Sequence, residues 1–358
     1  MEMEFQLVDP CSGDLVDGIV PLLRECADHE AIKPEFIQNT VEVVSPPALT
    51  LTELEGAMRS RIRELLHSCE RLGMAVCGMG THPFSVRPAL VSPGSRYRSQ
   101  IKAAGWLSRN QVTFATHVHL GMPSGDEALL VMRELKPYLP LLIALSASSP
   151  FWHGDDTRFA AFRQRVLATS RSYGPPPDFH RWAGFERFLT TMRQARMLEG
   201  IRDIHWDLRP RADLGTLEVR VMDAQPTLAD ALSFVALLRT LIRFLRHTRG
   251  AASQDRPLGA LFWWYLKENC FWASRHGIDA PLILNDDGDL GTLRQIARST
   301  LDRVGSIALK DEQVALHRLM RNLQEGLPYE RQRRSYRRSG SLPGVVRQRC
   351  EALSQECG

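Results

Sequence analysis

Residues 204–223 read IHWDLRPRADLGTLEVRVMD, and this stretch decides how the rest of the chain is arranged. An apolar–polar alternation runs into the turn signal Asp213-Leu214-Gly215, then resumes as Thr216-Leu217-Glu218-Val219-Arg220-Val221-Met222. A β-strand sends alternate side chains to opposite faces, so Leu217, Val219 and Val221 share one face. Thr216, Glu218 and Arg220 share the other. Such a strand is either half exposed or the wall of a polar cavity. Standing alone, Glu218 and Arg220 would read as a surface ion pair; the recurrence of the pattern elsewhere argues for the cavity.

Glu2-Met3-Glu4-Phe5-Gln6-Leu7-Val8 alternates with Glu2, Glu4 and Gln6 on one face, and Leu15-Val16 after the turn reads as a return strand. Thr40-Val41-Glu42-Val43-Val44 is a second short strand carrying Glu42 on the face of Thr40 and Val44. Residues 74–79 read as a strand running into Gly80-Thr81-His82-Pro83, where His82 is structural in the first instance and a substrate neighbour in the second. The strand at 111–120, QVTFATHVHL, separates Thr113, Ala115, His117 and His119 from Phe114, Thr116, Val118 and Leu120.

Helical spacing covers 52–72, where Thr52 to Glu55 has the capping-box pattern, then 98–105 after the loop Ser95-Arg96-Tyr97-Arg98. It continues over a helix from 124 kinked at Pro137 and Pro140, and over 157–170, 180–198, 227–248, 257–276, 291–304 and 311–325. SASSPFWHGDD (146–156) reads as a loop. The aromatic cluster Phe262, Trp263, Trp264, Phe271 and Trp272 reads as core, and the arginines between 331 and 338 as a solvated face. Antiparallel-type strands separated by helical runs give an α+β class. With no repeat and no linker, residues 1–358 form a single expected domain with an Arg-rich helical tail at about 329–358.

The 358 residues can bury one large core, and 44% apolar with 24% charged content is ordinary for a soluble globular chain. A net charge of +4 is too small to argue for nucleic acid. Seven scattered cysteines without a C-x-x-C spacing suit a reducing cytoplasm and neither a disulfide framework nor a zinc site. The acidic start MEMEFQLVDP reads as a strand and not as a signal peptide. The most apolar run, 128–147, is broken by Arg133, Glu134, Lys136, Pro137 and Pro140, so no membrane span is expected.

If the polar strand faces meet in one sheet, Glu2, Glu4, Glu42 and Glu218 converge with His117 and His119. Buried carboxylates repel and require a compensating cation. Oxygen ligands with one or two imidazoles suit Mg²⁺, or Mn²⁺, better than Zn²⁺. Arg220 among them would be placed to grip a phosphate oxygen, and metal ions beside such an arginine are the working parts of phosphoryl transfer. No P-loop, no G-x-G-x-x-G and no nucleophile elbow is present.

MEMEFQLVDP, GMGTHPFS (78–85), THVHLG (116–121), LSASSPFWHGDDT (145–157), WDLRP (206–210), GTLEVRVMD (215–223) and ERQRRSYRRSGSL (330–342) occur in that order. Together they resemble glutamate–cysteine ligase family 2, the carboxylate–amine ligases, from the first residue to about Leu342. The resemblance implies a glutamine-synthetase-like fold, with a curved, mainly antiparallel sheet lining a funnel and helices packed outside. It also implies ATP- and Mg²⁺-dependent amide formation through an acyl phosphate, acting on an amino-acid carboxylate and an amine. Glu2, Glu4, Glu42, His117 and Glu218 match its metal-binding set and Arg220 its phosphate-binding arginine; Arg209 of WDLRP matches a family motif near the site and is a second phosphate-binding candidate. Asp207 of WDLRP and His119 fall near the site. The small-molecule substrates imply no nucleic-acid or membrane partner, and a homodimer is the expected assembly.

The sequence departs from the family twice. The family's usual G-V-E-E-E-F opening is Met1-Glu2-Met3-Glu4-Phe5 here, with Met3 expected on the opposite face. Asp155 stands where the family commonly has Arg. A rival class is a catalytically silent binding or regulatory protein that keeps the ligase fold.

Overall fold

The computed structural model describes residues 1–26, 28–94, 97–98, 101, 105–249 and 262–358. The loop residues Ser95 and Arg96, most of the helix expected at 98–105, and the first turn of the helix expected from 257 lie outside the described residues. The strands, in chain order, are β1 (Glu2–Val8), β2 (Ile32–Pro34), β3 (Thr40–Val44), β4 (Ala75–Cys77), β5 (Thr116–Gly121), β6 (Phe151–Trp152), β7 (Asp155–Asp156), β8 (Leu208–Arg211), β9 (Thr216–Val219), β10 (Pro281–Ile283) and β11 (Leu290–Thr292).

Seven of them form one sheet in the order β2-β3-β1-β5-β9-β8, with β4 alongside β5 on the same edge of β1. Each strand pair is antiparallel. Register follows from alternation: Met3 faces Val43, Phe5 faces Val41, and Val118 faces Val219, so one face of the sheet is apolar throughout. A slip of one residue would turn all of these side chains to the other face. The helices Leu51–Arg71 and Leu228–Thr248 cover that apolar face, and Phe5, Met58, Ile62, Leu237 and Leu238 share one core cluster with 0% exposure. The polar face is left for chemistry. The class is α+β.

Several local expectations are corrected. The helix Leu51–Arg71 is capped by Thr50, whose side chain accepts from Glu53 N–H, two residues earlier than the 52–55 pattern. The strand expected at 111–120 begins only at Thr116, with Thr113 and Ala115 making isolated bridges to Thr81 and Asp223. Residues 74–79 contract to β4, and Leu15 pairs with Val8 as a single bridge. The segment 146–156 contains the β6–β7 hairpin, turning over His153 and Gly154 at φ 52° and 94°.

The helix expected over 157–170 is reduced to Arg163–Leu167. Its first residues are taken by other partners: Ala160 and Ala161 N–H both donate to Ser274 O, and Phe162 N–H donates to Ser149 O. The aromatic cluster is not core as a group. The helix Phe262–His276 buries Leu266, Asn269, Cys270, Ala273 and Ser274, which turns Trp263 (42% exposed) and Trp264 (60%) outward. The Arg-rich tail folds as two helices, Pro328–Ser339 and Leu342–Cys357, that bury Tyr329, Gln332, Val345, Val346 and Leu353. It is therefore an integral layer and not a solvated appendage. Among the described residues no helix is long and apolar enough to cross a membrane.

Candidate active site

Antiparallel register assembles the polar face. Glu4 lies opposite Glu42, Glu2 opposite His117, His119 opposite Glu218, and Glu218 opposite Arg209. Cross-strand neighbours of this kind sit about 5 Å apart at Cβ, close enough for their side chains to meet. Met3, between the two glutamates, points to the core with 1% exposure.

His117 is the hinge of the cluster. Its Nδ1 is 3.1 Å from Glu2 Oε2 and 3.9 Å from Glu218 Oε1, and its Nε2 is 3.9 Å from Glu4 Oε1. Two overlapping three-residue sets, Glu2-His117-Glu218 and Glu4-Glu42-His117, each bring their ligand atoms within 4.8 Å of one another. His119 Nε2 stands 3.2 Å from Glu2 Oε1, while its Nδ1 is 3.1 Å from Thr216 Oγ1.

The electrostatics split the carboxyls into two groups. Burial works against the charge on Glu2, but the imidazoles of His117 and His119 hold its carboxyl well below the usual range. Burial likewise opposes the charge on Glu218, and Arg220 and Arg209 outweigh it and hold that carboxyl low. At Glu4 and Glu42 the nearby cations, Arg163 and Arg220 for the first and Lys33 for the second, are outweighed. Burial, followed by repulsion from Glu35, pushes Glu4 up to about 8. The same two causes, with Glu2 and Glu4 added, raise Glu42 well above the carboxylate range. Burial lowers His117 to about 4, with Arg220 adding to the effect, so its ring is neutral and able to ligate.

The arginines differ in what they can still give. Arg209 donates Nε (2.8 Å) and Nη2 (3.1 Å) to the two oxygens of Glu218, and Nη1 to the carbonyls of Ile204 (2.8 Å) and Arg202 (3.3 Å). Burial lowers it to about 10. Arg211 adds an Nη1 3.6 Å from Glu218 Oε2. Arg220 gives one N–H to Glu218 Oε1, and its side chain keeps 19% exposure. With five donors on a guanidinium, Arg220 retains several for a ligand, whereas Arg209 is spent on the protein.

Asp207 lies behind Arg220, whose backbone N–H donates to Asp207 O at 2.8 Å. Burial pushes its carboxyl up to about 7 against Arg163, Arg165 and Arg220, and Oδ1 is buried without a hydrogen-bond partner. His82 does not join this group. Its Nε2 donates to Gly13 O at 2.9 Å and its Nδ1 accepts from Ser85 N–H at 2.9 Å, so the ring ties two loops together.

Three residues of the neighbourhood were not anticipated. Arg211 stands two residues from Arg209, and the alternation that selects Arg209 selects it too. Glu35 lies just beyond β2 and carried no signal. Arg163 is 4% exposed, and its two Nη atoms donate to the carbonyls of Val221 and Arg220 at 3.3 Å each. It falls within the helix expected over 157–170, where nothing in the sequence sets it apart.

The buried His117 Nε2 has no hydrogen-bond partner, in a setting with a clear excess of carboxylate oxygen. Oxygen donors with a neutral imidazole fit a hard divalent cation, Mg²⁺ or Mn²⁺, and the residues present fit such an ion.

Comparison with known proteins gives the family. The profile of glutamate–cysteine ligase family 2 matches residues 1–353. The chain belongs to that family. A relative from Trichormus variabilis named "Putative glutamate--cysteine ligase 2" is 43% identical over 357 residues, covering 99% of this chain and 92% of its own length. One of the same name from Gloeobacter violaceus is 33% identical over 357 residues, 97% of this chain and 94% of its own. The fold is shared with a glutamate–cysteine ligase from Francisella tularensis solved in complex with AMP, at TM-score 0.73, 15% identity, 98% coverage of this chain and 87% of that one. A bifunctional glutathione synthetase from Pasteurella multocida gives TM-score 0.72 at 15% identity, over 99% of this chain and 52% of that one. Membership of the family makes the chain a glutamate–cysteine ligase-like protein acting on small molecules.

Proposed function

We propose that this glutamate–cysteine ligase-like chain is an ATP- and Mg²⁺-dependent carboxylate–amine ligase, with glutamate as the first candidate carboxylate and cysteine as the first candidate amine. The observation that carries the proposal is the pair of three-residue carboxylate–imidazole sets sharing His117, with Arg220 and its free donors beside them. In the proposed reaction a substrate carboxylate oxygen attacks the γ-phosphorus of ATP, the bond to the bridging oxygen breaks and ADP leaves. The amine nitrogen then attacks the acyl carbon, inorganic phosphate departs with the former carboxylate oxygen, and the nitrogen loses a proton.

Glu2, Glu4, Glu42, His117 and Glu218 would hold the cation, which when bound supplies charge neutralisation to phosphate oxygens. Arg220 would donate to a phosphate oxygen as charge grows there. Arg209 fixes the Glu218 carboxylate through both its oxygens, and His119 steadies Glu2. Asp207 backs Arg220 from behind. Glu4 and Glu42, which repel as a bare pair, give the cation its strongest reason to bind.

Isotope transfer tests the chemistry directly. Glutamate labelled with ¹⁸O in its side-chain carboxylate should yield inorganic phosphate carrying one ¹⁸O for each amide formed. Amide without label in the phosphate would exclude the acyl phosphate.

A further inference from the structure

The arginines of the helix Pro328–Ser339 are not used by the ligase proposal, yet they converge. A cleft of about 570 Å³ is lined by Arg158, Arg275, Arg294, Arg333, Arg334 and Arg337, and by the carboxylates of Asp279, Glu325 and Glu330. Guanidinium groups outnumber carboxylates by three on this lining. No residue of the sheet's carboxylate cluster contributes to it. Like charges gathered on one concave surface repel, and an anion held among them removes that repulsion.

Two of the three carboxylates are already committed. Asp279 pairs with Arg294 at 2.9 Å, and Glu330 accepts the N–H of Leu327 at 2.7 Å to cap its own helix. Several arginines are anchored but keep free donors. Arg333 binds Asp156 at 2.7 Å and Phe159 O at 3.1 Å, and Arg334 gives one Nη2 to Glu325 O at 2.6 Å. Arg275 donates to Arg158 O while its guanidinium lies 4.8 Å from the Phe159 ring centroid. The side chains of Arg158 and Arg337 have no acceptor among the described residues, and both are exposed. Arg158 holds φ 61°, a left-handed backbone that glycine would adopt more cheaply, and from there its side chain lines the cleft.

We infer that this cleft is a second anion site, taking a small molecule with two or more phosphate or carboxylate groups. Planar guanidinium forks match the oxygens of both groups. The anchored guanidiniums of Arg294, Arg333 and Arg334 and the unpaired ones of Arg158 and Arg337 would together supply the donors. The inference does not depend on the ligase proposal, because no residue is shared between the two sites.

The test is calorimetric titration of the full chain with pyrophosphate and with citrate, in EDTA and at physiological ionic strength. The variants are Arg158→Gly, which the left-handed backbone accepts, Arg337→Ala, and the two combined, each checked for an unchanged melting temperature. Saturable one-to-one binding is expected, weakened about tenfold by each substitution, as for the loss of one charge-assisted contact. Tighter pyrophosphate would make phosphate the recognised group and tighter citrate carboxylate; either supports the site. Arg220→Met should leave the affinity unchanged. No saturable heat, full affinity in the double variant, or a loss confined to Arg220→Met would overturn the inference.

Discussion

Glu218 is held by Arg209, Arg211 and Arg220 at once and is 0% exposed, so it anchors buried cations as well as facing the metal cluster. Removing one partner of a buried ion pair leaves a charge without solvent or counter-ion. Arg209→Met should therefore destabilise the fold by about 3–5 kcal/mol in urea unfolding; a cost under about 1 kcal/mol would show that Arg209 is not the clamp described. His82 offers a pH test away from the cluster. Burial lowers its ring from 6.5 to about 4, so the fold favours the neutral form. Its stabilising contribution is complete above pH 6.5 and is lost as pH falls through about 4. The urea midpoint of the wild type should fall more steeply across that window than that of His82→Gln. Parallel slopes would mean that the ring carries no such linkage.

At the scale of elements, alternation identified which residues share a face, because period two is a local property of a strand. It could not say which strands adjoin. That Glu4 meets Glu42, and that Glu218 meets both His119 and Arg209, depends on pairings between segments far apart in the chain. The failures have the same origin. Residues 160–162 leave the expected helix because carbonyls of Ser149 and Ser274 claim their N–H groups, and nothing local announces those partners. Trp263 and Trp264 fall within one expected helix and read as core from that, although the helix turns Leu266, Asn269, Cys270, Ala273 and Ser274 inward instead. Close approach also fixes Gly78, where an added Cβ would lie 2.2 Å from the backbone oxygen of Gln225. Gly78→Ala is expected to cost about 1–3 kcal/mol through forced backbone movement, read as a lower melting temperature. A neutral outcome would show that the β4 exit can shift freely.

At the scale of the whole molecule, one apolar cluster runs from Met1 to Cys357, so the two ends of the chain stabilise each other. Glu356 accepts the N–H groups of Leu228 (2.7 Å) and Ala229 (2.9 Å), capping the long helix Leu228–Thr248 from the far end of the chain. Ending the chain after Gly340 would remove that cap and expose the surface under Val345, Val346 and Leu353. The truncated protein should lose cooperative unfolding; an unchanged transition would mean that the last helix is an appendage. The resemblance noted from scattered motifs holds across the molecule, since the family profile and the fold both span nearly the entire chain. Which carboxylate and which amine are joined is decided by side chains around the site, and the motifs that define the family do not encode that choice.

The central claim is that the polar face of the sheet is an ATP-dependent ligation centre organised around a metal held by Glu4, Glu42 and their neighbours. The most direct measurement is ADP release with ATP, Mg²⁺, glutamate and cysteine, with the amide identified by mass spectrometry, for the wild type beside Glu42→Gln. That variant keeps side-chain size and leaves the Arg209–Glu218 clamp untouched. Substrate-dependent ADP and a γ-glutamyl amide, both reduced about a hundredfold or more in the variant, are the predicted result. Equal turnover by Glu42→Gln and the wild type would contradict the assignment of this face as the catalytic centre.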